Sequence, residues 1–202
     1  METLERRYFS PEIRADKESR MVEGTATTFN QFYDMGWFAE KIDERAFDKV
    51  LKSKDNDTIA AFNHNWDAPL ARTLSGTLTL EKTENGLGYR FESPNTTAGN
   101  DLLVMLERGD VKHSSLAMRV KKDLWETREE DGVEKEYRTI LEVSELRDVS
   151  PVVFPANPNT DVAKRSRDEQ IKPPEPIEID YKTKLANKKI QINKSWLASQ
   201  KY

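Results

Sequence analysis

The pattern of apolar positions in the first third of the chain predicts two strands and a helix. Apolar and β-branched residues dominate 21–29, which is typical of a strand, whereas the apolar residues of 40–53 recur at helical spacing. Residues 57–65 form a short apolar run that ends in turn-forming residues, which favours a buried strand. Such a strand would carry Asn63 and His64 at its end.

The middle of the chain predicts a hairpin, then a helix, then a strand. Residues 73–93 alternate apolar and polar side chains around a turn at 84–88, so we expect a hairpin there. Residues 96–110 place leucines on one helical face, with Gly109 where a C-terminal cap belongs. A strand over 111–118 is then expected to follow the helix directly.

The pattern of the last third predicts more β structure. Polar arms alternate around Asp131 and Gly132, which predicts a long exposed hairpin over 117–143. An apolar run over 145–158, stopped by prolines, predicts a last buried strand. We therefore expect an α+β protein of mainly β structure.

Composition divides the chain into a folded body, residues 1–165, and a proline-rich linker with a basic tail, residues 166–202. A length of 202 residues suits one sizeable core with a short appendage. The body carries more acidic than basic residues, whereas lysines dominate the end of the chain. An acidic body argues against nucleic acid as its partner, although the basic tail could contact an acidic protein surface or nucleic acid.

Several classes of function are excluded by what the sequence lacks. It contains no cysteine, which rules out disulfides, thiolate nucleophiles and cysteine-ligated zinc. No apolar run approaches the ~20 residues of a membrane helix, and the first segment, METLERRYFSPEIRA, lacks the apolar centre of a secretory signal. No phosphate-binding glycine loop is present either. We expect a soluble cytoplasmic protein without a nucleotide cofactor or a membrane partner.

Two adjacent serines in the segment VKHSSLAM, residues 111–118, are the first candidates for chemistry. In a strand, alternate side chains face opposite sides, so Ser115 shares a face with His113 while Ser114 lies on the other. A serine becomes a good nucleophile only when a neighbouring base accepts its proton. Because His113 would stand parallel to Ser115, His64 is the better base.

His64 and Asp148 complete the candidate set, each with a purely structural alternative. His64 could be a general base or a histidine that only satisfies hydrogen bonds. Asp148 begins a buried apolar run, where a charge needs a partner, so it could orient an imidazole or form a salt bridge with Arg147 or Arg72. A metal site built from His64, Asp67 and distant carboxylates is the weaker alternative, because no metal-binding motif is present.

Five segments of the chain follow one another in a recognisable order: VEGTATTFN, FAEKIDERAFDKVL, AAFNHNWDAPLARTLSGTLTL, TTAGNDLLVMLERGDVKHSSLAM and LRDVSPVVFPANPNT. In this order and spacing the chain resembles, over residues 5–165, the prohead, or capsid-maturation, serine proteases of tailed bacteriophages. That family is similar in fold to the herpesvirus capsid-assembly proteases. The resemblance implies a closed or nearly closed β-barrel surrounded by helices, with 1–165 as the protease domain and 166–202 as linker and tail.

The resemblance also implies roles for individual residues. His64 takes the place of the catalytic histidine, and Ser115, six positions after Gly109, takes the place of the nucleophile. Asp148 takes the place of the third member, where the family more often has glutamate. Arg72, in the segment LART, would help to hold the oxyanion.

The sequence departs from the family's pattern on both sides of the nucleophile. His113 stands where a glycine is usual, and Leu116 stands where an aromatic residue is usual. These departures leave two alternatives open. The register could be shifted by one, with Ser114 as the nucleophile, or the chain could be a catalytically inactive scaffolding or capsid-binding module of the same fold.

As a function, the resemblance implies a serine endopeptidase of capsid maturation that works by a Ser-His-acid mechanism without a metal or other cofactor. The implied substrates are the scaffold or delta region of the phage major capsid protein and, by autocleavage, the protease itself. It would act in the host cytoplasm, inside the assembling procapsid. By analogy with the herpesvirus enzymes, we also expect a homodimer.

Overall fold

Strands make up most of the part of the protein that the computed structural model describes, residues 3–9, 13–154 and 160–170. The strands are β1 (Leu4–Phe9), β2 (Ile13–Ala15), β3 (Met21–Thr28), β4 (Tyr33–Asp34), β5 (Phe38–Ile42), β6 (Ile59–Ala61), β7 (Pro69–Arg72), β8 (Leu78–Thr83), β9 (Gly86–Glu92), β10 (His113–Glu130) and β11 (Val133–Val152). The helices are α1 (Asp48–Lys52), α2 (Thr97–Arg108) and α3 (Thr160–Gln170). Within these residues, no helix combines the length and apolarity that crossing a bilayer requires. The prediction of mainly β structure is confirmed.

The described strands form two sheets. Sheet A has the order β1-β10-β11-β5-β4, and β6 pairs with both β11 and β7. Sheet B has the order β2-β3-β9-β8. Sheet A curls like half of a barrel, but edge strands remain in both sheets among the described residues, because β1 does not pair with β4 and β2 does not pair with β8. The predicted closed or nearly closed barrel is therefore wrong.

One hydrophobic cluster joins the two sheets and the first two helices. Its members are buried side chains that each element contributes from one face, which is how layers of secondary structure form a single core. They include Val22, Ala26, Ile42, Phe47, Val50, Leu78, Leu87, Tyr89, Phe91, Leu102, Leu103, Leu116, Met118, Ile140, Val143, Leu146 and Val149.

The hairpin of β10 and β11 is the longest feature of sheet A. It turns at Asp131 and Gly132, whose positive φ values of 53° and 78° suit a two-residue hairpin loop. The predicted turn is confirmed, and β11 covers 145–152 of the strand predicted over 145–158, of which 155–158 lie outside the described residues. Strand β11 pairs in parallel with β5 along its first half and with β6 near Asp148.

Helix α2 fixes the point at which β10 begins. Thr96 caps its start by accepting a hydrogen bond from the N–H of Gly99 at 3.3 Å. Gly109 ends it at a φ of 76°, in the left-handed region that glycine adopts without steric penalty. The helix predicted over 96–110 is confirmed, and the strand that follows starts at His113.

The helix predicted over 40–53 is wrong in its first half. Ile42 belongs to β5, the chain then turns, and α1 occupies only Asp48–Lys52. Ile42 and Phe47 both reach the core, but from a strand and a turn. Their spacing matched a helix by coincidence, because burial alone does not distinguish the two arrangements.

Glu40, in the same stretch, is held by a cluster of buried charges. Arg138 donates hydrogen bonds to Glu40 at 2.9 Å, to Glu5 at 2.7 Å and to Asp123 at 2.7 Å. Arg7 contacts both glutamates as well. Burial alone would raise the pKa of Glu5, but the hydrogen bond from Arg138 and the two arginine charges hold it below its usual range. These distant partners keep residue 40 in a strand, and helical spacing cannot reveal them.

Helix α3 packs against sheet A. Ala163 is fully buried against Phe38 and Trp125, and Ser166 donates to Asp123 at 2.6 Å. The helix therefore includes 166–170, which composition assigns to the linker. The rest of the predicted linker and basic tail, 171–202, lies outside the described residues, and the domain boundary at 165 stays a prediction.

Candidate active site

A single histidine side chain joins a serine and an aspartate from different elements. His64 Nδ1 lies 2.7 Å from Asp148 Oδ1, and His64 Nε2 lies 2.6 Å from Ser115 Oγ. A carboxylate can only accept, so Nδ1 carries the hydrogen and Nε2 is left to accept the Ser115 hydroxyl proton. This is the tautomer that a general base needs.

A strained turn presents the histidine. The 3₁₀ turn Phe62–His64 directly follows β6, so the strand predicted over 57–65 ends early. Asn63 and His64 have φ values of 49° and 58°, which residues other than glycine rarely adopt. Asn63 Oδ1 accepts a hydrogen bond from the N–H of Val153 at 3.1 Å, and this bond ties the turn to the chain just beyond β11. Such strain persists where surrounding contacts enforce it, often at functional sites.

The two serines of β10 face opposite sides of sheet A. Ser115 reaches His64, whereas Ser114 lies 3.0 Å from the hydroxyl of Tyr89 in sheet B. Burial raises the pKa of Tyr89, and the hydrogen bond with Ser114 opposes that rise. The structure therefore brings Ser115, and not the alternative Ser114, to the histidine.

Asp148 is fully buried and accepts three hydrogen bonds. His64 Nδ1 and Ser150 Oγ, the latter at 2.9 Å, both donate to its Oδ1 atom. The indole N–H of Trp66 donates to its Oδ2 atom. Three donors offset the cost of burying a carboxylate.

The sequence prediction missed Trp66 and Ser150. Each stands two residues from a member of the predicted set, Trp66 after His64 and Ser150 after Asp148. Ser150 could have been found, because the period of two places it on the same face of the strand as Asp148. Trp66 follows a turn, where the spacing of residues along the chain does not predict the direction of a side chain.

The arginines considered as partners of Asp148 pair elsewhere. Arg147 lies 3.3 Å from Glu145, and Arg72 forms a two-pronged ion pair with Asp57. The hydrogen bonds from Arg72 hold the pKa of Asp57 below its usual range. The predicted role of Arg72 at the oxyanion stays a prediction, and in this structure its guanidinium is engaged with Asp57.

The assembled groups suit nucleophilic attack by a hydroxyl. Ser115 and Asp148 are fully buried, and only 5% of the His64 side chain is exposed. A molecule that reacts with this hydroxyl therefore reaches it only after local opening. The metal alternative gains no support, because the described residues contain no cluster of three or more candidate metal ligands.

A cavity of about 540 Å³ lies beside this group. Trp66 forms part of its wall, together with residues of β6 and β7 and the side chain of Arg147. Trp66 itself is 38% exposed. One residue therefore contacts both the buried carboxylate and the open cavity.

Comparison with known protein families identifies one that the chain matches. The family model of the caudovirus prohead serine proteases matches residues 9–173, a stretch that includes every residue of the site described above. No curated protein and no solved structure matches the chain.

Proposed function

Because the chain belongs to the caudovirus prohead serine protease family, we propose that it is the serine endopeptidase of phage capsid maturation. One observation carries the proposal: a single imidazole hydrogen-bonds to both Ser115 and Asp148. The order histidine, serine, acid along the chain accompanies that geometry. This set of contacts is what an activated serine requires.

In the proposed reaction, Ser115 Oγ attacks the scissile carbonyl while His64 Nε2 takes its proton. The imidazolium that forms is stabilised by Asp148, and it then returns the proton to the leaving amine. Water hydrolyses the resulting acyl-enzyme, again with His64 as the base. The proton returns to Ser115 at the end of the cycle, so no cofactor is consumed.

The proposed substrates are the scaffold or delta region of the phage major capsid protein and the chain itself. Family membership supports this assignment, because the matching family is that of the caudovirus prohead serine proteases. The proposed place of action is accordingly the interior of the procapsid. The lysine-rich end of the chain is proposed as a self-cleavage segment or as a targeting segment that retains the enzyme inside the procapsid.

Co-expression with the capsid protein of the same phage tests the proposal. Wild type, Ser115→Ala and a surface control, Ser144→Ala, are compared by intact mass of both proteins. Wild type and the control are expected to shorten the capsid protein and to lose residues themselves, whereas Ser115→Ala leaves both at full length. Equal processing by all three, or by none, would support the inactive scaffolding module instead.

A further inference from the structure

Trp66 has contacts that the three-residue mechanism does not use. Its indole N–H donates to Oδ2 of Asp148, the oxygen that does not bond His64. Ser150 donates to Oδ1 at 2.9 Å, the oxygen that His64 contacts. Both oxygens of the carboxylate are therefore held by hydrogen bonds from the protein.

We propose that Trp66 is a positioning residue that fixes the orientation of the Asp148 carboxylate through its indole N–H, with Ser150 in support. This inference rests on the proposed function, since it assigns a partner to the acid of that site. Carboxylate torsions are broad and roughly two-fold, so one bond from His64 does not fix the plane of the group. A second donor on the opposite oxygen fixes that plane.

Arginines hold the indole itself in place. The guanidinium carbon of Arg6 lies 5.8 Å from the ring centroid of Trp66, and that of Arg147 lies 5.6 Å from it. These distances are within the range of cation–π attraction. With these contacts on the ring, the indole N–H donates to the buried carboxylate of Asp148.

The ring and the N–H of Trp66 have separable roles. The ring forms a wall of the 540 Å³ cavity, while the N–H contacts Asp148. Trp66→Phe keeps an aromatic ring at this position and removes the N–H donor together with one ring of the indole. Trp66→Ala removes both, so it is expected to change KM as well as kcat if peptide occupies that cavity.

Steady-state kinetics on the full chain provide the first test. Trp66→Phe is expected to lower kcat roughly 10- to 100-fold, the effect of losing a hydrogen bond to a charged group, with KM unchanged. Trp37→Phe is the matched control, because Trp37 is 39% exposed and stacks on Trp125. Its kcat should match wild type.

The same substitution in an Asp148→Ala background separates positioning from general damage. If Trp66 acts through the carboxylate, Trp66→Phe has no further effect on kcat once that carboxylate is gone. Ser150→Ala is likewise expected to lower kcat only when Asp148 is present. It replaces Trp66→Phe in this test if that variant folds poorly. Equal losses of kcat in both backgrounds would overturn the proposal.

A spectroscopic measurement tests the inference without catalysis. The proton between His64 Nδ1 and Asp148 should give a far-downfield NMR resonance in wild type and in Ser115→Ala. The resonance is expected to broaden or move in Trp66→Phe but not in Trp37→Phe. If wild type cleaves nothing while this dependence holds, the proposed function fails and the positioning role survives. If wild type cleaves while Trp66→Phe changes neither kcat nor the resonance, the positioning role fails alone.

Discussion

His64 Nε2 lies 2.6 Å from Ser115 Oγ, although 51 positions separate the two residues along the chain. Their strands, β6 and β10, are not neighbours in sheet A, because β11 lies between them. The turn after β6 therefore has to bring the imidazole back across β11. Asp148 and Ser150 lie on that intervening strand, between the strand that leads to His64 and the strand that carries Ser115.

Substitution of each member of the set is expected to lower activity in a graded, non-additive way. Ser115→Ala and His64→Ala should each reduce kcat roughly 10⁶-fold, because either change removes the nucleophile or its activation. Asp148→Asn should reduce kcat roughly 10⁴-fold, since an amide no longer favours the working tautomer. Single-turnover cleavage of a capsid-derived peptide measures all three. If the fold-reduction of kcat in a double variant equalled the product of the two single reductions, the residues would act independently. That result would contradict a concerted role.

Ser114→Ala is expected to affect stability and leave catalysis almost unchanged. The substitution removes the partner of the buried Tyr89 hydroxyl, which costs about 1–3 kcal/mol for an unsatisfied group. Urea denaturation measures the stability, and kcat at a temperature well below the melting transition measures catalysis. Loss of cleavage in Ser114→Ala with retention in Ser115→Ala would place the nucleophile one residue earlier.

The sequence predicted the face of the candidate serine from a local signal and the partners of that serine from the family resemblance. A serine in a strand has one of two faces, and the face that Ser115 shares with His113 is the face toward His64. The order of family segments supplied the partners His64 and Asp148. The fold sets the distances of 2.7 Å from His64 to Asp148 and 2.6 Å from His64 to Ser115, and residue spacing along the chain does not predict them.

The features that the sequence did not reveal depend on contacts between distant strands. Glu40 fits a helical pattern, yet it is buried in β5 because Arg138, 98 positions away, compensates its charge. Trp66 reaches Asp148 from beyond a turn, so neither period of two nor period of 3.6 predicts its direction. The closed barrel was inferred from resemblance alone, and strand pairing in this chain leaves edges.

Arg138→Leu is expected to be strongly destabilising. The change would remove one of the two buried arginines that pair with Glu5 and Glu40, and with it the ion pair of Asp123; breaking a buried ion pair costs about 3–5 kcal/mol. Chemical denaturation should show a lower transition midpoint. Arg45→Ala is the control, because Arg45 pairs with Asp43 at the exposed surface and should change the midpoint little. Similar midpoints for both variants would contradict a structural role for the buried cluster.

Glu142 is expected to make stability depend on pH in the acid range. Hydrogen bonds from Lys49 and then Lys121 lower its pKa from 4.5 to about 2. Because the folded state has the lower pKa, ionised Glu142 stabilises the fold above pH 4.5 and loses that effect as the pH falls toward 2. The difference in unfolding free energy between wild type and Glu142→Gln should therefore be largest near neutrality and shrink on acidification. A difference that stays constant, or grows, at low pH would contradict this assignment.

The most direct measurement of the central claim is the site and rate of covalent modification by a fluorophosphonate, which phosphonylates activated serines with loss of fluoride. In a preparation that cleaves capsid protein, mass spectrometry should find one adduct, on Ser115, that is absent from Ser115→Ala and strongly slowed in His64→Ala. An adduct on another serine of such a preparation, or a rate on Ser115 that does not change in His64→Ala, would contradict the account.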